Sequence, residues 1–234
     1  MSNVIECIHL KKTYEKTPAL KGVTFSVPEG QGVVGLLGPN GSGKTTLLKI
    51  LTGHLSKTEG EALIDGKTVG VESKAVISYL SDAHSLNNNY KVNEQVEYYK
   101  DFFLDFDQEK ALQMIEELDI NPNQKIKTLS KGTKEKLSLI LTLSRKAKLY
   151  LLDEPIAGVD PAAREYILGT ILSRRSENST LLISTHLISE IEDYLDYTIF
   201  LKNGEIVLSG VTREIKEREG KSIDQLFREI FRWM

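Results

Sequence analysis

The sequence predicts an α/β protein: a largely parallel, doubly wound sheet with an antiparallel β part and an inserted helical subdomain. Three observations predict it. From Leu149 onward, strand-sized apolar runs alternate with helical segments, the pattern of a parallel sheet wrapped by helices. The N-terminal stretch reads mostly as strands, which adds the antiparallel part. Between them, from about Asn93 to Leu118, the apolar spacing is helical.

Each element follows from its own pattern. VIECIHL (4–10) alternates apolar and polar residues, GVTFSV (22–27) is a second strand, and GVVGLLG (32–38) is a buried run ending in glycine. KTTLLKILTGHL (44–55) has helical spacing and opens directly after that glycine loop; EALIDG (61–66) and VISYLS (76–81) read as further strands. Asn93 and Asp107 are N-cap candidates for the helices NEQVEYYKDFFLDF and DQEKALQMIEELDI. The aromatics of this region, Tyr98, Tyr99, Phe102, Phe103 and Phe106, read mostly as core. KEKLSLILTLSRKA (134–147) is the next helix. LYLLD, PAAREYILGTILSRRS, STLLIST, HLISEIEDYL and TIFLK then alternate strand with helix. Asp160-Pro161 joins a cap to a proline at the first helical position, and Asn203-Gly204 marks a tight hairpin. The tail places Ile223, Leu226, Phe227, Ile230 and Phe231 on one helical face, expected to pack on its own domain or on a twin. The expected division is a domain over 1–211, with the helical subdomain at about 83–147, and a helical tail over 212–234.

Composition narrows the function classes. With 234 residues and 40% hydrophobic content the chain can build a sizeable core. A net charge of −3 gives no general pull toward nucleic acid or anionic lipid, so no nucleic-acid partner is expected. Cys7 is the one cysteine, which excludes an internal disulfide, fits a reducing cytoplasmic setting and reads as a small core residue. The N-terminus has no secretory pattern, and no apolar run approaches bilayer length. Work at a membrane would need a membrane part from another chain.

The chemistry gathers in a few short stretches. GPNGSGKT, Gly38 to Thr45, fits G-x-x-x-x-G-K-[S/T] between a strand and a helix, the context of a phosphate loop and of the P-loop NTPase fold. Gly38, Pro39, Asn40, Gly41, Ser42 and Gly43 form a loop that turns N–H groups toward phosphate oxygens. The helix start adds partial positive charge. Lys44 is placed to reach the β- and γ-phosphates, Thr45 to offer its hydroxyl to Mg²⁺, and Thr46 to touch the α-phosphate. In LYLLDEP, Asp153 at the strand tip suits Mg²⁺, and Glu154 suits a general base acting on a water in line with the γ-phosphate. His186, after the strand STLLIST, suits a hydrogen bond to the γ-phosphate and the attacking water; a lone histidine also reads as structural. LSKGT, Leu129 to Thr133, holds hydroxyl and glycine at a helix start, and Ser130 alone reads as an ordinary cap. Tyr14 reads either as an edge-strand tyrosine or as a stacking ring. His9, His54 and His84 take no role.

Together these stretches resemble the ATP-binding subunit of ABC transporters over nearly the whole chain, from about Ile5 to Gly210. LSKGT is similar to the family's signature motif, usually LSGGQ. The resemblance implies two subunits packed head to tail, as a homo- or heterodimer, with Ser130 and Gly132 of each facing the ATP held by the other. It implies that Tyr14 stacks on adenine. AGVD, Ala157 to Asp160, resembles the D-loop, which bridges the two subunits. Asp82 stands where the family usually has a glutamine that meets Mg²⁺. Lys131 and Thr133 replace the usual glycine and glutamine of the signature. The implied activity is ATP hydrolysis with ATP and Mg²⁺ as cofactors, driving solute movement, with a lean toward export, through separate transmembrane permease subunits. The implied location is the inner face of the cell membrane. An importer ATPase and a soluble relative acting on ribosomes or DNA are the alternatives. The chain has neither the tandem domains nor the long coiled-coil insertion those soluble relatives carry.

Overall fold

The computed structural model describes residues 2–81, 86–157, 159 and 161–232, with backbone only at Pro161, Ala162 and Ala163. Two sheets organise the chain. The strands β1 (Asn3–Tyr14), β2 (Thr17–Pro28), β4 (Glu59–Ile64) and β5 (Lys67–Thr68) form an antiparallel sheet in the order β2-β1-β4-β5. A second sheet runs β10-β9-β3-β8-β7-β6. Its members are β3 (Val33–Leu37), β6 (Ile77–Leu80), β7 (Leu149–Asp153), β8 (Thr180–Thr185), β9 (Tyr197–Lys202) and β10 (Glu205–Val211). All neighbours in it are parallel except the β9–β10 hairpin. Asn203 and Gly204 both have positive φ, 50° and 81°, as a two-residue turn of this kind demands.

The central strands β3, β7, β8 and β9 of the larger sheet are covered on both faces, so they are continuous buried runs, whereas the edge strand β10 alternates. Successive residues still divide by the pleat. Val34, Leu36, Leu149, Leu151, Leu182 and Leu201 face a core shared with β1, β2, β4 and helix α1 (Lys44–Leu51). Leu37, Tyr150, Leu152, Leu181, Ile183 and Phe200 face the other core, shared with the later helices. Those are α3 (Val92–Phe102), α4 (Gln108–Glu117), α5 (Lys131–Leu143), α6 (Pro161–Arg174) and α8 (Ile223–Ile230); α2 (Val71–Ala75) and α7 (Thr212–Glu219) complete the set. Cys7 is buried in the first core, and burial, then Glu6, pushes its thiol up to about 12, so it is a core residue rather than a nucleophile.

Local chemistry sets the helix starts. Asp107 accepts the Lys110 N–H at 3.1 Å and caps α4 as expected. Asn93 does not cap α3. The cap position is Lys91, whose N–H bonds the Glu94 carboxylate at 2.7 Å. Pro161 opens α6 as expected, while Asp160 lies outside the described residues.

The aromatics divide against expectation. Tyr99 and Phe106 pack on the core and Phe103 is half-buried, but Tyr98 and Phe102 are 47% and 66% exposed. HLISEIEDYL is not a helix but two 3₁₀ turns, Ile188–Glu190 and Glu192–Tyr194. The tail helix α8 lies on its own chain: Phe227 and Phe231 meet Phe200 with ring centroids 5.8 and 6.0 Å away, and Lys202 donates to the Ile230 carbonyl at 2.6 Å.

Candidate functional site

The phosphate-loop pattern lies where β3 gives way to α1. A Cβ at Gly38 would sit 2.4 Å from the Leu201 carbonyl oxygen, so only glycine lets the loop close against β9. Gly41 and Gly43 adopt φ of 81° and 110°, which glycine supplies without strain. The hairpin turn pins the loop from below, since the Gly204 N–H donates to the Ser42 carbonyl at 2.9 Å. Helix α1 begins at Gly43 with no side-chain cap, whereas α4, α5 and α8 take oxygens from Asp107, Ser130 and Ser222. The uncapped first turn and the helix dipole together suit an anion.

Lys44 is 5% exposed and its ammonium donates back to the Gly38 and Pro39 carbonyls at 2.7 and 3.2 Å. It also stands 3.2 Å from Glu154 Oε1, as an ion pair in which that oxygen takes no hydrogen bond from the described residues. The other oxygen of Glu154, Oε2, is 3.1 Å from His186 Nδ1. One carboxylate therefore links the phosphate loop to the end of β8. Glu154 reaches this place through a left-handed backbone, φ 50°, an uncommon conformation for a residue with a Cβ. Its N–H donates to the Ser184 carbonyl and hydroxyl, both at 3.1 Å. Asp153, just before it, is 2% exposed and accepts from the Ser184 hydroxyl at 2.6 Å.

Tyr14, at the end of β1, is 44% exposed, with its hydroxyl 3.5 Å from Thr46 Oγ1 and the Lys12 ammonium 5.2 Å from its ring centre. It thus stands beside the first turn of α1. Ser130 caps α5, accepting the Thr133 N–H at 3.1 Å, with the two hydroxyls 2.8 Å apart. Lys131 points into solvent, 81% exposed and 3.9 Å from Glu135. Among the described residues, a Cβ at Gly132 would meet nothing within 4 Å, so packing on them gives no reason for a glycine there. Asp82, His84 and Asp160 lie outside the described residues.

Sequence reasoning missed two features. Ser184 is one; its only signal was a hydroxyl inside an apolar strand. Glu135 and Lys136 of α5 are the other, since they line a cleft with Leu80, Ser81, Asp153 and Glu154. Among the described residues, no group of three or more His, Cys, Asp or Glu side chains is arranged to hold a metal ion.

Comparison with known proteins decides the family: a model described as "ABC transporter" matches residues 20–157, more than half of the chain. The chain belongs to the ABC transporter family. As an ATP-binding subunit of that family it is an ATPase, and its nucleotide is ATP. The lantibiotic transport ATP-binding protein SrtF of Streptococcus pyogenes is 32% identical to this ABC ATPase over 94% of the chain and 93% of its own length. The linearmycin resistance ATP-binding protein LnrL of Bacillus subtilis is 28% identical over 93% of the chain and 72% of its own length. A solved ATP-binding subunit of an ABC transporter superposes with a TM-score of 0.86 at 25% identity, covering 97% of this chain and 98% of its own. A nucleotide-free ATP-binding cassette gives 0.74 at 26% identity, covering 94% and 96%. The P-loop NTPase fold expected from the sequence is therefore the fold of the ABC ATPase. No helix among its described residues is long and apolar enough to cross a membrane.

Proposed function

We propose that this ABC ATPase pairs head to tail with a second ATP-binding subunit around two Mg-ATP, and reopens after hydrolysis to drive export through separate membrane subunits. The observation that carries the reading is the convergence at the phosphate loop: Glu154 lies 3.2 Å from Lys44 and 3.1 Å from His186, while Gly132 lies in the open. In this reading Gly38 to Thr46 hold the phosphates by backbone N–H groups and the Lys44 ammonium, which leaves Glu154 as phosphate arrives. Glu154 then accepts the proton of the attacking water, oriented by His186. Tyr14 offers its exposed ring to adenine, and Asp160 belongs to the seam between subunits.

Thr45 and Asp153 suit Mg²⁺, a hard cation that keeps waters and phosphate oxygens and needs only one or two protein oxygens. Asp82 joins them in the same assignment. When bound, the ion neutralises phosphate charge; Asp153, already held by Ser184, is the carboxylate best fixed to receive it. Differential affinity of ATP for the closed pair drives closure. The exposed Tyr98, Phe102 and Leu104 give the helical subdomain an apolar face for a membrane subunit, which would hold the chain at the inner face of the membrane. Export is favoured by the names of SrtF and LnrL, a lantibiotic transport and a linearmycin resistance protein.

Glu154→Gln tests the reading. With Mg-ATP, and its partner subunit if the pair is mixed, it retains nucleotide, loses turnover by about 10²–10⁴-fold and doubles in mass by light scattering. A single particle at saturating ATP refutes the pairing.

A further inference from the structure

We infer that Ser184 is the positioning residue of the hydrolytic carboxylates: its one hydroxyl orients Asp153 and secures the turn that aims Glu154. The inference rests on the roles proposed for Asp153 and Glu154. It begins in the register of the sheet. Strand β8 runs parallel between β7 and β3, pairing Ser184 with Asp153 on one side and Leu36 on the other. Side chains on neighbouring parallel strands at one register position share a face, so the hydroxyl is delivered beside the carboxylate.

Ser184 is fully buried, and the strand before it, Leu181 to Ile183, is apolar. A hydroxyl buried there is unfavourable unless its hydrogen bonds are made. Both directions are used. The single proton goes to Asp153 Oδ1 at 2.6 Å, and a lone pair accepts the Glu154 N–H at 3.1 Å. The first bond limits rotation of the Asp153 carboxylate. The second helps hold Glu154 at φ 50°, the conformation from which its side chain reaches both Lys44 and His186. A conventional backbone at Glu154 would send that side chain elsewhere. Ser184 touches neither Lys44 nor His186 in the hydrogen-bond network described; it acts through its two neighbours.

Three variants of the full chain separate positioning from mere packing: Ser184→Ala, Ser184→Thr and Ser184→Val. Alanine leaves the Glu154 N–H its bond to the Ser184 carbonyl, so the fold survives and the melting temperature checks it. Threonine and valine add the same methyl and differ only in the hydroxyl. The readouts are ATP affinity in EDTA, ATP affinity with Mg²⁺, and steady-state hydrolysis. Alanine and valine are expected to lose about 10–100-fold in kcat, as removal of a group that orients a metal-binding carboxylate does. Their affinity in EDTA stays within about twofold of wild type, because the phosphate loop is untouched, while the gain in affinity on adding Mg²⁺ shrinks. Threonine recovers most of both. Wild-type kcat in Ser184→Ala overturns the inference. So does a metal-free affinity that falls as far as kcat, or a threonine variant no better than valine. Absence of hydrolysis in the wild-type chain would instead remove the roles of Asp153 and Glu154 on which Ser184 depends.

Discussion

Gly132 and Gly204 are both glycines in tight company by sequence, yet they answer to different constraints. Gly204 has φ 81° and a Cβ there would lie 2.6 Å from the Ala19 carbonyl oxygen, so Gly204→Ala should destabilise the fold by about 2 kcal/mol. Gly132 has ordinary helical geometry and open space around it, so Gly132→Ala should leave the melting temperature unchanged or raise it, since alanine favours helix by up to about 1 kcal/mol. Its cost should appear only in trans: loss of ATP-dependent pairing in a Glu154→Gln background, read by light scattering. Pairing that survives the methyl would show that the signature helix does not approach a second subunit closely. The phosphate loop was legible because phosphate chemistry is local: eight adjacent residues carry the pattern. Ser184 was not legible, because the carboxylate it serves is 31 positions away and only strand register joins them.

At the level of elements, caps and periods decided most outcomes. Asp107 was readable as a cap and is one; the Lys110 N–H bonded to its carboxylate, then Lys146, hold its pKa below the usual 3.8. Asp107→Ala should cost about 1 kcal/mol of unfolding free energy at neutral pH. The sign follows from the depressed pKa: the contribution is complete above the ordinary aspartate value and drains as pH falls through the lower folded value. Urea titrations should therefore show the gap between variant and wild type closing as the pH falls below the ordinary aspartate value; a gap constant across pH would assign the effect to packing instead. Tyr98 and Phe102 were read as core from their chemistry, but the buried residues of α3, Val92, Gln95 and Val96, lie in its first half, and the pair, four residues apart toward its C-terminal end, stack on each other in the open. HLISEIEDYL buries Ile188, Ile191 and Leu195, a spacing that reads as a helix, yet it forms two 3₁₀ turns, and its Glu192 carboxylate receives the Asp224 N–H of α8.

Over the whole molecule, the alternation of strands and helices made the parallel sheet readable, but not how its helical part is fastened. Strands β6 and β7 are direct parallel neighbours, so everything between them is one long crossover rooted at both ends in the sheet. Arg145 is the fastening. It is 6% exposed and grips Asp105, between α3 and α4, by Nε and Nη2 at 2.9 and 3.0 Å. The same guanidinium donates to the Ile77 and Ala75 carbonyls at 2.6 and 3.2 Å, at the root of β6, and lies 4.1 Å from the Phe103 ring centre. A sequence shows neither the pairing nor the burial, since Arg145 and Asp105 sit 40 positions apart among many other charges. Removing one member of such a pair leaves Asp105 without its cation, so Arg145→Ala should cost about 3 kcal/mol. Lysine should not restore it, because a point charge cannot serve a carboxylate and two carbonyls at once. Hydrogen exchange gives the decisive pattern. In Arg145→Ala the amides of α3 and α4 should exchange faster while those of β3 and α1, in the other half of the structure, keep their protection. Uniform acceleration across all of them would mean that the helical part and the phosphate loop unfold as one unit, and that Arg145 fastens nothing in particular.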